Sequence, residues 1–127
     1  MRAQSREAAF KIIYCKIFID EDIEVIKESV LRDEVDKIDL DFTNSLVNAF
    51  LEHRAEIENE IESITDGYSL NRIYKIDAAL IFLAMAEIKF IKTPVPVVVN
   101  EVLHLAKKYS EEKSSAFING VLAKIKV

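Results

Sequence analysis

An all-α fold, a compact helical bundle, is predicted by three observations. Among 127 residues only two are glycine and two are proline, too few turn formers for a sandwich or barrel of many short strands. Apolar residues recur at helical spacing along nearly the whole chain. Half of the residues are hydrophobic and 31% are charged, a balance that favours a folded core over disorder. The length suits one domain, 1–127, and no repeat or low-complexity linker divides it.

Each element follows from its own stripe. Between about Ser5 and Ile19, Phe10, Ile13, Tyr14, Ile17 and Phe18 fall at i, i+3, i+4, i+7 and i+8, one face of a helix. Arg2 and Arg6 continue that stripe towards the amino terminus, so a basic helix end is expected to project beyond the core and approach an anionic ligand. Asp20, Glu21 and Asp22 supply capping oxygens and favourable charge for a second helix through Ile23, Ile26 and Val30, extending towards Val35. After a break at Asp36 to Asp39, Asp39 caps a long helix with the stripe Phe42, Leu46, Phe50, Arg54, Ile57, Ile61 and Ile64. At ~1.5 Å per residue this helix spans about 40 Å, enough to cross the domain. Asp66 and Gly67 are expected to end it, because glycine tolerates the left-handed conformation common just past a helix.

Ser69 is expected to cap the next helix, which carries Ile73, Ile76, Leu80, Leu83 and Ala84 on one face and Ile81, Met85 and Ile88 on another. A helix apolar over so much of its circumference belongs at the centre of the fold. Its apolar run from Ala78 to Ala86 is far shorter than the ~20 residues a bilayer span requires. Pro96 suits a first helical turn, and Val98, Val102, Leu105 and Tyr109 keep helical spacing, giving a helix over about Pro96 to Lys108. Ser110 reads as half of a capping box, and Phe117, Val121, Leu122 and Ile125 mark a last short helix.

Chemistry is limited by what is missing. With glycine only at 67 and 120, no glycine-rich phosphate loop can form. His53 and His104 lack metal-ligand spacing, and Glu101 with His104 at i, i+3 has no nucleophile beside it, so neither a metal site nor a catalytic residue is expected. No cofactor is implied. The single cysteine, Cys15, lies in an apolar stretch and reads as a small core residue. One cysteine cannot form an internal disulfide, and the start MRAQSREAAF lacks the apolar core of a signal peptide, so a cytoplasmic protein is expected.

Net charge is −5, but its distribution is uneven. Residues 1–19 carry +3, residues 20–67 carry −12 and residues 68–127 carry +4. Basic ends around an acidic middle suggest one cationic surface with the acids solvated on the far side. Single-stranded RNA is held by cations along its phosphates and by aromatic faces that stack on bases. Arg2, Arg6, Lys11, Tyr14, Lys107, Lys108, Lys113 and Phe117 are therefore the candidates, although Tyr14 and Phe117 sit on apolar stripes and fit the core as well.

The stretch PVPVVVNEVLHLAKKYSEEKSSAFINGVLAKI resembles the carboxy-terminal signature of the bacterial transcription antitermination factor NusB family, through Pro96, Asn100, Glu101, Leu105, Ala106, Lys107, Phe117, Asn119, Gly120 and Leu122. Arg6, Ala9 and Tyr14 resemble its basic first helix, and Ile76, Asp77, Leu80, Leu83, Ala84 and Glu87 its central helix. Where the family's central helix often has an arginine and a tyrosine, this chain has Phe82 and Ala86. The resemblance implies two packed helical subdomains, about 1–67 and 68–127, and no catalytic activity. It also implies binding of boxA RNA in nascent ribosomal RNA transcripts together with the small-subunit ribosomal protein NusE, and assembly of an antitermination complex on RNA polymerase. Carried over residue by residue, it assigns Arg2, Arg6, Tyr14, Lys113, Ser114 and Phe117 to RNA, and Asp77 with its neighbours Ala78 and Ile81 to the protein partner. Asn100, Glu101, Asn119 and Gly120 are expected to be structural, buried amides and a buried carboxylate satisfying helix ends and the glycine permitting close packing. A helical protein-interaction adaptor with weak or no RNA binding is the alternative.

Overall fold

Capping and apolar spacing divide the chain into six α-helices in the computed structural model, which describes residues 1–65 and 70–126. They are α1 (Arg2–Phe18), α2 (Ile23–Leu31), α3 (Leu40–Ile64), α4 (Lys75–Ala86), α5 (Val95–Tyr109) and α6 (Ser114–Leu122). Every regular element among the described residues is helical, and no described helix is long and apolar enough to cross a membrane. Asp66, Gly67 and Ser69, expected to end one helix and cap another, lie outside the described residues.

The two aspartate caps form as expected. Asp22 Oδ1 accepts from the Glu24 N–H at 2.8 Å, and Asp39 Oδ1 accepts from the Phe42 N–H at 3.2 Å, each satisfying a donor that the first helical turn leaves open. Elsewhere local reading is corrected. α1 already begins at Arg2, and α2 stops at Leu31, leaving Val35 in a 3₁₀ turn, Val35–Lys37. Ser110 ends α5 instead of opening a capping box: its N–H donates to the Ala106 carbonyl and its hydroxyl turns towards α4. α3 bends at His53 (φ −114°, ψ 17°), where the imidazole stacks on Phe90 with ring centroids 3.7 Å apart and planes 6° from parallel. Phe90 belongs to a π turn, Glu87–Ile91, that continues α4.

The expectation of a central helix holds. Every residue from Asp77 to Ile88 is buried, and α4 packs on α1, α3, α5 and α6. Long-range packing of α1 against both α3 and α4 makes one continuous core. Phe82 is part of that core, 1% exposed and edge-on to Phe50 with centroids 5.3 Å apart. Replacing Phe82 by alanine should therefore cost about 3–5 kcal/mol, read as a lower midpoint in chemical denaturation.

Candidate RNA and partner interface

The start of α1 is fixed by long-range polar bonds. Arg6 Nε donates to Glu87 Oε1 at 2.8 Å and Nη2 donates to Oε2 at 2.7 Å. Both side chains are inside, 5% and 0% exposed. The hydrogen bond to Glu87 raises the Arg6 pKa despite the opposing effect of burial, with added attraction from Glu87 and Glu101. Ser5 ties the same turn to α3: its hydroxyl accepts from the Asp39 N–H at 2.8 Å, and Thr43 Oγ1 donates to its carbonyl at 3.0 Å. A projecting Arg6 is thus corrected. Its fork of donors is spent on a buried carboxylate, which compensates the desolvation of both ions.

Arg2, one turn earlier, is exposed, and its guanidinium lies 4.1 Å from the centre of the Phe42 ring. That contact orients the cation without neutralising it. Lys11 is half-buried, and Lys107 and Lys113 are exposed. Arg2, Lys11, Lys107 and Lys113 make no ion pair with any described carboxylate. Lys108 does: its Nζ donates to Glu7 Oε2 at 2.7 Å, and the Tyr109 hydroxyl donates to the same oxygen. Burial pushes the Glu7 carboxyl up, but the bonds from Lys108 and Tyr109 and the charges of Lys108 and Lys11 outweigh it, leaving its pKa below the ordinary value.

Two adjoining grooves open along α1. A polar one of about 230 Å³ is lined by Gln4, Glu7, Ala8, Lys11, Val30, Glu34, Lys108 and Tyr109. An apolar one of about 390 Å³ is lined by Phe10, Lys11, Tyr14, Cys15, Val30, Ile76 and Tyr109. Lys11, Val30 and Tyr109 belong to both. Tyr14 is half-buried, its ring 5.3 Å from that of Phe18 and 6.4 Å from that of Phe10. Cys15 is also only half-buried, and desolvation raises its thiol pKa, which disfavours the reactive thiolate.

The expected partner face on the central helix is corrected outright. Asp77 is 4% exposed, Ala78 2% and Ile81 0%. The Asp77 carboxylate accepts from Ser110 Oγ at 2.6 Å and from Ser114 Oγ at 2.9 Å, clasping α4 to the α5–α6 junction. Ser114, expected to touch RNA, is buried in this clasp. Ile76 is the residue beside Asp77 that reaches the apolar groove. Phe10, Ile76 and Tyr109 were legible only as members of apolar stripes, since spacing does not separate the margin of a stripe from its centre.

Phe117 is half-buried and lines a separate groove with Ile64, Ala116, Gly120, Val121 and Lys124. Asn100, Asn119 and Gly120 are exposed, and a Cβ at Gly120 would meet no heavy atom within 4 Å beyond its chain neighbours and its own helix backbone. The expectation that the two amides are buried and that Gly120 serves close packing is therefore also corrected.

Residues 3–126 match the family model described as the NusB family. The chain belongs to the NusB family. A transcription antitermination protein NusB from Finegoldia magna is 38% identical over 126 residues, 98% of this chain and 92% of its own length. Among solved structures, NusB of T. maritima superposes with a TM-score of 0.85 at 32% identity, covering 98% of this chain and 89% of that one. A crystal structure of the antitermination factors NusB and NusE in complex with dsRNA contains a chain that superposes with a TM-score of 0.86 at 27% identity, covering 96% of this chain and 92% of that one. The all-α NusB fold of this chain thus extends across almost its whole length.

Removing the Glu87 carboxylate from this NusB fold should leave Arg6 buried and unpaired. A Glu87→Ala protein should lose about 3–5 kcal/mol in denaturant titration, whereas Arg6→Met with Glu87→Leu should recover most of it. Glu7 has a depressed folded-state pKa, so its contribution to stability is complete above the ordinary carboxylate range and disappears as pH falls through the folded value. Thermal melts of the parent and Glu7→Gln proteins should differ at neutral pH and converge in acid.

Proposed function

We propose that this chain is a non-catalytic transcription antitermination factor. It binds boxA RNA of nascent ribosomal transcripts together with the ribosomal protein NusE, and helps to assemble the antitermination complex on RNA polymerase. In this reading it is a single domain, its halves about 1–67 and 68–127 joined along α4, and it acts in the cytoplasm where transcripts are made. One observation carries the proposal: the polar and apolar grooves share Lys11, Val30 and Tyr109. An apolar side chain of a protein partner and an RNA phosphate can therefore be held side by side on α1.

In this arrangement NusE packs on Tyr14 and Ile76, burying apolar surface the isolated chain leaves open. Arg2, Lys11 and Lys113 supply cations for the RNA backbone, and Phe117 a half-buried ring against which a base can stack. The partner brings its own contacts, so modest RNA affinity of this chain alone is compatible with tight joint binding. Sequestration of Arg6 by Glu87 favours a second reading, an adaptor that binds its protein partner with weak or no RNA binding.

Fluorescence anisotropy with single-stranded boxA-type RNA, a scrambled strand and a duplex, each with and without NusE at several salt concentrations, separates the two. Joint sequence-dependent binding is expected, and Arg2→Ala with Lys113→Ala should weaken it while reducing the salt slope by about 0.7 per lost phosphate contact. Ile76→Ser should weaken the NusE effect. Partner binding with no RNA preference would assign the adaptor role instead.

A further inference from the structure

One face of α6 carries a cation, a ring, bare backbone and a second cation in turn. At 100° per residue, Lys113, Phe117, Gly120 and Lys124 fall within about 60° of one another. Lys113 precedes the helix and Lys124 follows it, so the two lysines bracket the ring and the glycine. Both lysines are exposed, and neither makes an ion pair with any described carboxylate. From Lys113 to Lys126 the chain has three bases and no acid.

This face opens on the groove of about 460 Å³ between α6 and the end of α3. Ile64 and Thr65 line it from α3 and Phe117, Gly120 and Val121 from α6, and among the described residues Lys124 is its one charged lining group. The missing side chain at Gly120 widens the groove, because a Cβ there would point into open space. The acids on this part of α3 are engaged elsewhere. Glu58 accepts from Arg54 Nε at 3.1 Å, and Glu60 accepts from Lys89 Nζ and, at 3.1 Å, from the Lys126 N–H. Lys89 Nζ also donates to the Lys126 carbonyl at 3.2 Å. The chain is thereby pinned two residues beyond Lys124, which holds that cation at the groove.

The groups present select the occupant. They are a half-buried ring, aliphatic walls and one ammonium, and the Thr65 hydroxyl donates to the Ile61 carbonyl at 2.8 Å. A nucleotide matches this set, with its base against Phe117 and its phosphate on Lys124. No amide, carboxylate or guanidinium side chain lines the groove among the described residues to read a base edge. Stacking accepts any base, since each has a π face.

We propose that the α3–α6 groove is a sequence-tolerant nucleotide subsite, which holds one base of bound RNA against Phe117 and its phosphate on Lys124 and leaves discrimination between sequences to other contacts. The proposal rests on the RNA-binding reading for its ligand, and adds to it Gly120, Lys124 and indifference to the base.

NMR titration of the full chain with single-stranded RNA hexamers of uniform A, C or U, and with a hexamer of abasic ribose phosphates, tests this. The three hexamers should shift amide signals of residues 116–124 with affinities within about threefold of one another, and the abasic one should bind about tenfold more weakly. Gly120→Leu fills the groove from an exposed helical position without changing charge. It should weaken hexamer binding about tenfold and leave the thermal midpoint no lower. Lys124→Gln should reduce the salt slope by about 0.7. Unchanged binding by the Gly120→Leu protein, a preference of about tenfold or more for one base, or no shift in residues 116–124 would overturn the proposal. So would tighter binding of a peptide of glutamate and leucine, which would assign the groove to an acidic protein. Failure of the antitermination reading has a different signature: boxA-type and scrambled RNA would bind alike in the presence of NusE, while the hexamer results stood.

Discussion

The fold depends on burying one helix from every side. From Asp77 to Ile88 every residue of α4 and the start of its π turn is buried, so α1, α3, α5 and α6 must surround it. Such a helix has little preference for one orientation from hydrophobicity alone, because it is apolar almost all round. Its two buried carboxylates supply the missing specificity. Asp77 at one end accepts the hydroxyls of Ser110 and Ser114, and Glu87 at the other accepts the guanidinium of Arg6. Each bond joins α4 to a different part of the chain, and a rotated or shifted α4 would leave a buried charge without its partner.

This arrangement determines which groups remain for binding. The two carboxylates buried on and just beyond α4, Asp77 and Glu87, are consumed in holding it. Arg6 and Ser114 are drawn inward by the same clasps. The groups that stay accessible lie at the margins: Arg2, Lys11, Lys107 and Lys113 as cations without ion-pair partners among the described residues, and Tyr14, Ile76 and Tyr109 at the edge of the core. The Glu7, Lys108 and Tyr109 cluster connects α1 to α5 beside these groups. The cationic and apolar parts of the α1 surface are thereby set next to one another.

The six helices were legible because each has a stripe or a cap that local physics can read. Asp22 and Asp39 lie in the chain just before the amides they cap, so their bonds follow from spacing. Ser110 has the same capping chemistry but finds Asp77, 33 residues away, a better acceptor than its own turn. The bend at His53 escaped for a related reason: its stack on Phe90 joins α3 to the π turn, and neither residue signals the other in sequence. Among the candidate RNA residues, Arg2 and Arg6 look alike as basic positions one turn apart. Only the depth of Glu87 separates them, exposing one and consuming the other.

The sequence by itself determined the helical class, the central position of α4, the family and the uneven charge, since these rest on periodicity, composition and order along the chain. Tertiary structure decided which cations stay at the surface, which aromatics edge a groove, and that the expected face of Asp77, Ala78 and Ile81 lies inside. Those outcomes are set by contacts between residues far apart in sequence. Burial and pairing of a side chain depend on what packs over it, and helical spacing carries no record of that.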